Sequence, residues 1–429
     1  MNKYTYNLFL ITFLAVLIAG CSDLLGTKGD RVTDEIFEEG RQDPTLITDE
    51  IAYAALPFWG GFDSPTDVFV GYDELVYVTD AVGLHVLDRA GRIYNTIELR
   101  GAISVVQDRL LNVYVAARTD TIITAVSTEI IWDLAAVYKI RNANGAGEQR
   151  IVQKMVHPFM DASRATTAAQ RFRLDRSRTE DNEEFVEITG LSVLANNDLY
   201  VSRRGPRNQE NQSIATDNTV LVFTENRSPA GERLGTMRNT SQIRALAPNV
   251  PSLRSGIALT SVTSFVAPPQ RESMTSDQSF LIAQGDESRN IPLRVLWIDA
   301  VVTPDGLEYR PRSSLLTRDT SRAESFLYDQ FKFRNPTGLA FSADQRQHIF
   351  VVDAGTDSLY LFQSNGVEGI NPPPGSSATK AINVSFGGTG SGPREFNNPS
   401  GVAYFRRMVY VADTGNNRIS RFRLNIDFE

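Results

Sequence analysis

The sequence predicts an all-β fold, a six-bladed β-propeller, on three observations: a recurring strand motif, turn residues between strands, and a spacing that suits small sheets. The motif is an aromatic or aliphatic residue, then Val or Ile, then a small or β-branched residue and a turn. Successive copies of the motif begin about 67 residues apart on average. A four-stranded blade needs about 40–50 residues, so this spacing leaves room for loops. The six copies are Tyr77-Val78-Thr79-Asp80, Tyr114-Val115-Ala116-Ala117, Tyr200-Val201-Ser202-Arg203, Leu281-Ile282-Ala283-Gln284, Phe350-Val351-Val352-Asp353 and Tyr410-Val411-Ala412-Asp413.

Each copy is predicted to be the second strand of a longer unit, which is clearest at the C-terminal end. There, residues 401–404, 408–412 and 418–424 have the composition and alternation of strands. Asn398-Pro399-Ser400 precedes the first strand, and polar turn residues precede the third. Three strands of this length cannot bury a face alone, so the units must pack against one another.

This unit resembles the NHL repeat, the blade of NHL-type β-propellers. The most specific match is Asn398-Pro399-Ser400-Gly401-Val402 followed by the run 410–418; Ser64-Pro65-Thr66-Asp67-Val68 and Asn335-Pro336-Thr337-Gly338-Leu339 repeat its first part. The resemblance covers roughly residue 51 to the C-terminal end. Units two to four keep the strand spacing but lack the signature Asp and Gly. The resemblance implies a propeller fold, which hosts both binding proteins and enzymes.

The N-terminal part of this region is predicted to close the ring. The last unit has three strands, which leaves its outer edge unpaired. Residues 51–62 resemble residues 382–388, which end the preceding blade. We therefore expect an N-terminal strand to supply the fourth strand of the last blade, because such a clasp removes an open edge. Residues 46–429 are then one propeller domain.

The first twenty residues are typical of a bacterial lipoprotein signal peptide. Residues 7–20 are almost wholly apolar, too short a run to span a bilayer comfortably, and Lys3 precedes them. Ile18-Ala19-Gly20-Cys21 resembles the lipobox, and Cys21 is the one cysteine of the chain. The resemblance implies cleavage before Cys21 and acylation of this residue. The alternatives are a plain secretory signal or a short membrane helix with an incidental cysteine.

Residues 21–45 are polar and acidic and are expected to form a flexible tether. The predicted location is therefore the cell envelope, on the extracytoplasmic side, held by lipid on Cys21. The outer membrane is the expected membrane. Ser22-Asp23 weakly resembles a surface-export signal, but Leu24-Leu25 follow where further acidic residues would be needed. Whether the protein faces the periplasm or the cell surface stays open.

The charge of the chain argues against a nucleic-acid partner. The 429 residues carry a formal net charge of −8, with a pI near 5.2. Binding to nucleic acid needs a basic face that neutralises phosphates. We expect no nucleic-acid partner.

Asp80, Asp353 and Asp413 follow the second strand of their units and have two interpretations. They are either turn-capping side chains or part of a carboxylate ring that holds a metal. The equivalent positions in the other units are Ala117, Arg203 and Gln284, so a ring would be half empty. The turn-capping interpretation is favoured, and no metal or cofactor is expected.

The three histidines bear on an enzymatic function, because some similar six-bladed propellers are lyases or lactonases with histidine and carboxylate metal sites. His85 is predicted in a third strand, His157 at the start of a loop and His348 at the start of a second strand. These places do not converge on a central channel, which disfavours a histidine-rich metal site. No nucleophile elbow, phosphate loop or EF-hand spacing is present. No catalytic residue is predicted, but a site built from carboxylates alone stays open.

Long insertions in units two to four predict a docking surface. Residues 119–133, 158–184, 203–218 and 285–292 should all lie on one face of a propeller, and loops on a rigid scaffold are common binding elements. A solvated loop that neutralises its own charge is the alternative. The candidate contacts for an acidic partner or a carboxylated glycan are Arg164, Arg171, Phe172, Arg173, Arg176, Arg178, Arg203, Arg204 and Arg207.

These observations predict a lipid-anchored extracytoplasmic propeller that binds a protein partner in a cell-envelope complex. The alternative is a hydrolase or lyase that acts on a glycan, lactone or peptide at the mouth of the channel. Three or more carboxylates or histidines directed into one end of the channel would favour the alternative.

Overall fold

Six four-stranded antiparallel sheets make up the fold of the computed structural model. The structure describes residues 52–125, 128–160, 183–206, 216–244, 246, 250, 252–266, 277–285, 290–375 and 377–425. Five blades take their four strands consecutively from the chain. Blade 1 comprises β2 (Asp67–Val70), β3 (Val76–Thr79), β4 (Gly83–Leu87) and β5 (Ile93–Glu98). Blade 2 comprises β6 (Ser104–Gln107), β7 (Val113–Ala125), β8 (Thr128–Arg141) and β9 (Arg150–Val156).

The remaining blades keep this order. Blade 3 comprises β10 (Glu187–Val193), β11 (Leu199–Arg204), β12 (Thr219–Arg227) and β13 (Arg233–Ile243). Blade 4 comprises β14 (Leu259–Ser264), β15 (Phe280–Gln284), β16 (Val295–Thr303) and β17 (Gly306–Pro311). Blade 5 comprises β18 (Pro336–Phe341), β19 (Ile349–Asp353), β20 (Ser358–Phe362) and β21 (Phe386–Gly387). Blade 6 comprises β22 (Pro399–Phe405), β23 (Met408–Asp413), β24 (Arg418–Asn425) and β1 (Ala52–Trp59). Each of the six sequence motifs lies in the second strand of a blade, as predicted.

The first strand of each blade lies innermost, and hydrogen bonds join the blades into a closed ring. At four junctions a hydroxyl donates to a backbone carbonyl of the next blade. The pairs are Thr66 to Ala102, Thr260 to Pro336, Thr337 to Pro399 and Ser400 to Pro65. At the other two junctions the Leu191 amide donates to the Ser104 hydroxyl, and the Ser264 amide to the Ser192 hydroxyl. The Pro-Thr and Pro-Ser segments of the sequence therefore take part in the bonds at four of the six junctions.

Because equivalent positions meet at these junctions, all the first strands run in the same direction. We call the end of the ring where they begin the upper face and the opposite end the lower face. The strands approach closely: a Cβ at Gly338 would lie 3.0 Å from the Cα of Gly401. A side chain at this position would push two blades apart, which explains the glycine in the repeated segment.

The predicted N-terminal clasp is confirmed. Strand β1 pairs antiparallel with β24, with Tyr53 opposite Leu424 and Ala55 opposite Phe422. Tyr53 is buried, and its ring packs edge-on against Phe386 at 5.0 Å and Phe422 at 6.2 Å between centroids. Ala52 pairs with Asn425, next to the turn at Arg407. The first described residue therefore lies at the lower face.

The hydrophobic core lies between neighbouring blades. The second strands β3, β15 and β19 are buried along their whole length. A strand covered on both faces favours continuous Val, Ile and aromatic residues instead of alternation. The motif was recognisable for this reason.

The long insertion at residues 119–133 was predicted as a loop, and this prediction was wrong. Strands β7 and β8 continue as a paired ribbon as far as Ala125 opposite Thr128. β-Branched residues on both strands favour this pairing. The signal peptide and the tether, residues 1–45, lie outside the described residues. Within the described part of the chain, no helix is long and apolar enough to cross a bilayer.

Candidate functional site

The innermost strands enclose a central cavity of about 360 Å³. Hydroxyl side chains line it near the upper face, where the first strands begin: Thr66, Thr189, Thr260, Thr337 and Ser400. Apolar side chains line it further along the strands: Phe69, Val106, Val193, Leu339 and Val402. A volume of this size, lined mainly by apolar side chains and by a smaller number of polar groups, is typical of small-molecule sites.

Asp67 places a carboxylate in the polar part of the cavity. Its Oδ2 accepts hydrogen bonds from the Ser104 hydroxyl at 2.9 Å and the Val105 amide at 3.1 Å, and its Oδ1 accepts from the Val68 amide at 2.9 Å. Burial raises the pKa of Asp67 to about 6, and these hydrogen bonds offset part of the rise. The residue borders the cavity but is surrounded by the ring. Its carboxylate is therefore only partly accessible to solvent.

Arg204 and Glu187 form an ion pair at the same end of the cavity. The Arg204 Nε lies 2.6 Å from the Glu187 Oε2, across the first two strands of blade 3. Both side chains are about half exposed. Arg204 was predicted as a docking residue of a long loop. The structure instead places it in the lining of the channel mouth with a carboxylate partner.

Arg203 does not belong to an exposed docking surface, so this part of the prediction was wrong. The residue is fully buried, and its guanidinium donates from Nε to the Asp217 carbonyl at 2.8 Å and from a terminal nitrogen to the Thr216 carbonyl at 2.9 Å. A guanidinium has five donors in a fixed fork, which suits the backbone carbonyls of a returning loop. Arg203 holds the chain between β11 and β12.

The remaining predicted docking residues lie outside the described residues. They are Arg164, Arg171, Phe172, Arg173, Arg176, Arg178 and Arg207. The basic docking surface on these loops stays a prediction.

Asp353 and Asp413 accept backbone hydrogen bonds at turns. The carboxylate of Asp353 accepts from the amides of Arg334, Asn335 and Gly355. The carboxylate of Asp413 accepts from the Asn397 amide and forms an ion pair with Arg418, whose Nε lies at 2.8 Å. Both aspartates are fully buried. Each therefore joins the loop before its blade to the turn after the second strand.

Asp80 occupies the equivalent position in blade 1. Its carboxylate accepts from the amides of Asp63, Val82 and Gly83. His85 stands five residues later, where blade 6 has Arg418, and its Nε2 lies 2.8 Å from the Asp80 Oδ2. The three aspartates hold turns in separate blades. They do not line the cavity.

The three histidines also lie apart. His157 is buried with its Nε2 2.5 Å from the Glu183 Oε2, next to the loop that follows β9. Burial lowers the pKa of His348 to about 4, although nearby Asp344 opposes this shift. None of the three lines the cavity. Among the described residues, no group of three His, Cys, Asp or Glu side chains could hold a metal ion.

The ribbon of blade 2, residues 117–125 and 128–135, rises above the upper face. Strand β6 pairs with β7 only as far as Ala116, and β9 pairs with β8 only from Ala136. Among the described strands of this sheet, none pairs with the outer part of β7 or β8 except these two strands with each other. Ile122 and Ile131 pair across it with 64% and 58% of their surface exposed.

Ion pairs fix the base of this ribbon. The Arg118 Nε lies 2.8 Å from the Asp133 Oδ2, and Arg100 reaches both Asp120 at 2.7 Å and Asp133 at 2.9 Å. Burial alone would raise the pKa of Asp133, but the hydrogen bonds from Arg100 and Arg118 outweigh it and lower the pKa. The Glu184 carboxylate accepts from the Asp133 amide. The ribbon is thus tied to the loops on both sides.

Two features of the site were missed in the sequence. Asp67 stands where the similar segments of blades 5 and 6 have Gly338 and Gly401. This exchange of glycine for a carboxylate was the available signal. For the ribbon, the signal was the β-branched run Thr121-Ile122-Ile123-Thr124 opposite Ile130-Ile131.

A comparison with protein families agrees with the assignment of the last blade. Residues 396–422 match the NHL repeat. No curated protein sequence matches the chain. An auxiliary nutrient binding protein from Bacteroides ovatus is similar in structure, with a TM-score of 0.45 and 12% identity over 88% of this chain and 78% of that chain.

Two further solved structures are similar at the same level. An aldose sugar dehydrogenase from Streptomyces coelicolor gives a TM-score of 0.43 and 10% identity over 87% of this chain and 98% of that chain. A virginiamycin B lyase from Staphylococcus aureus gives a TM-score of 0.37 and 11% identity over 87% and 100%. At such identities the similarity concerns the fold alone.

Proposed function

We propose that this chain is a lipid-anchored extracytoplasmic propeller that binds a protein partner of the cell envelope through its upper face. The observation that carries the proposal is the ribbon of blade 2, with two exposed isoleucines on a base held by ion pairs. Fully burying an Ile side chain contributes about 1.5–3 kcal/mol. Two Ile side chains held in a fixed position contribute this free energy to binding with little loss of conformational entropy.

The position of the N-terminal strand supports this arrangement. Ala52 lies at the lower face, and the ribbon rises above the upper face. The first described residue of the propeller therefore lies at the end of the ring opposite to the proposed docking surface. The insertions of blades 3 and 4 begin on the same upper face, after β11 and β15.

Lipid on Cys21 is the proposed anchor, and its removal tests that part. We expect a Cys21→Ser variant to leave the membrane fraction, because acyl chains contribute about 0.8 kcal/mol per buried methylene and several chains hold a protein nearly permanently. The measurement is membrane fractionation together with the mass of the processed N-terminus. If the variant stays with the membrane after signal cleavage, lipid is not the anchor.

The ribbon is tested by an Ile122→Asp/Ile131→Asp double variant. We expect this variant to recover at least 10-fold less of its partner, because two charges in an apolar contact must be desolvated. The matched control is Val302→Asp/Leu307→Asp, a cross-strand pair on the β16–β17 hairpin with 84% and 39% of the surface exposed.

The measurement is quantitative affinity purification from detergent-solubilised envelope. Wild type and the control are expected to recover the same companion protein in equal amounts, and the ribbon variant to lose it. Equal recovery by all three proteins, or no stable companion of the wild type, would contradict the proposal.

A hydrolase or lyase at the channel mouth remains the competing function. The described lining of the cavity carries two carboxylates, Asp67 and Glu187, and no histidine. Three or more such groups at one end of the channel would favour an enzyme. We therefore place the binding role first.

A further inference from the structure

We propose that the central cavity binds a small organic cation, with an ammonium group on Asp67 and an apolar body against the side chains deeper in the channel. This site is separate from the protein-docking surface on the ribbon. It involves other residues and does not depend on the anchor.

The charges in the cavity leave one carboxylate without a counter-ion. Of the described residues that line it, the charged ones are Asp67, Glu187 and Arg204. Arg204 and Glu187 neutralise each other at 2.6 Å. The hydrogen bonds to Asp67 come from one hydroxyl and two backbone amides, all of them neutral. A cation that enters the cavity therefore meets one net negative charge.

The carboxylate of Asp67 has capacity for one more donor. An ionised carboxylate has about four lone-pair sites, and Ser104, Val105 and Val68 occupy three of them. The carboxylate takes this position because residue 401 is glycine: a Cβ there would lie 2.6 Å from the Asp67 Oδ1 and 2.7 Å from the Asp67 Cα. Asp67 stands where the similar segments have glycine, and the absence of a side chain at Gly401 leaves room for its carboxylate.

The cavity suits an organic cation better than a metal ion. A divalent hard cation takes six or more oxygen ligands, usually from several carboxylates. Among the described residues, no group of three acidic, His or Cys side chains could hold one. In contrast, most of the side chains that line the cavity beyond Asp67 are apolar, among them Val106, Val193, Leu339 and Val402, although Ser192 and Thr263 also contribute. An ammonium on a hydrocarbon body matches both ends of the cavity.

The ionisation of Asp67 gives the binding a defined pH dependence. The cation requires the ionised carboxylate, and the pKa of the free group is raised to about 6. At pH 7.5 nearly all of it is ionised, and at pH 5 about one tenth. Affinity is therefore expected to fall about 10-fold between these values as the pH decreases. Glu187 and Arg204 are the other charged groups of the lining, and their mutual ion pair keeps their sum neutral.

Calorimetric titration with benzylammonium tests the proposal, with benzyl alcohol as a neutral probe of the same shape. We expect wild type to bind benzylammonium at pH 7.5, at least 10-fold more tightly than benzyl alcohol and about 10-fold more tightly than at pH 5. The Asp67→Asn substitution should weaken the binding of benzylammonium at least 10-fold. Asp344→Asn is the matched control, because this half-buried carboxylate accepts from Ser342 and Tyr404 outside the cavity, and it should bind as wild type does.

The proposal is overturned if wild type does not bind benzylammonium, if benzyl alcohol binds equally well, or if Asp67→Asn binds unchanged. Displacement of benzylammonium by an equal concentration of calcium chloride would also overturn it, since the site would then be a metal site. The two probes and the two pH values are compared on the wild-type protein, so the outcome does not depend on the folding of a variant.

Discussion

Replacing Tyr53 with alanine is expected to lower the free energy of unfolding of the propeller by about 3–5 kcal/mol. Tyr53 is the aromatic residue of the clasp strand β1, with 2% of its surface exposed. Its ring contacts Phe386 of blade 5 and Phe422 of blade 6. The alanine variant leaves a cavity at the place where β1 and β24 meet. Denaturant unfolding followed by tryptophan fluorescence measures the effect.

The matched control is Tyr53→Phe. Among the described residues, the Tyr53 hydroxyl has no hydrogen-bond partner. The phenylalanine variant keeps the ring and its contacts, and we expect it to change the free energy of unfolding by less than about 1 kcal/mol. An alanine variant as stable as the phenylalanine variant would show that the clasp contributes nothing to the ring.

Replacing Asp413 with alanine is expected to cost a similar amount, about 3–5 kcal/mol, for a different reason. The carboxylate is fully buried and accepts from the Asn397 amide, the Arg418 guanidinium and the Ser420 hydroxyl. Its removal leaves the charge of Arg418 buried without a counter-ion. The measurement is again the free energy of unfolding.

A double-mutant cycle with Arg418→Met separates the ion pair from the turn. Removing both charges is expected to cost clearly less than the sum of the two single variants, because neither charge is then buried alone. Arg418 also donates to the carbonyls of Ser391, Gly392 and Glu395, so the double variant should not recover fully. Strictly additive costs would rule out a coupled pair.

Much of the fold could be predicted from the sequence because the buried strands are the most regular part of a propeller. The motif part of the second strand in each blade is buried, so Tyr200-Val201 and Leu281-Ile282 mark their blades even without the signature turn residues. The clasp could be predicted because the last unit had three strands and an unpaired outer edge. The strand around Tyr53 belonged to no unit and could pair with that edge. These features follow from local pattern and counting.

The candidate site could be predicted only in part, because it depends on which loop returns to which strand. Arg203 is predicted to be exposed from its place in a long insertion. In the structure it is buried, because the chain folds back and the carbonyls of Thr216 and Asp217 accept its hydrogen bonds. Asp67 was not singled out because its environment is made by Ser104 and Gly401, which are distant in sequence. No local pattern contains such contacts.

The closed ring, with β1 as the outer strand of blade 6, is tested most directly by a disulfide between Ala54→Cys and Arg423→Cys in a Cys21→Ser background. These positions are partners in the register of β1 and β24, and paired positions in antiparallel strands lie within disulfide range. We expect this pair to oxidise readily and the disulfide to raise the unfolding temperature. The control pair, Ala54→Cys with Arg421→Cys, is two residues out of register and should stay reduced. Failure of the first pair to oxidise, or equal oxidation of both, would contradict the closed ring.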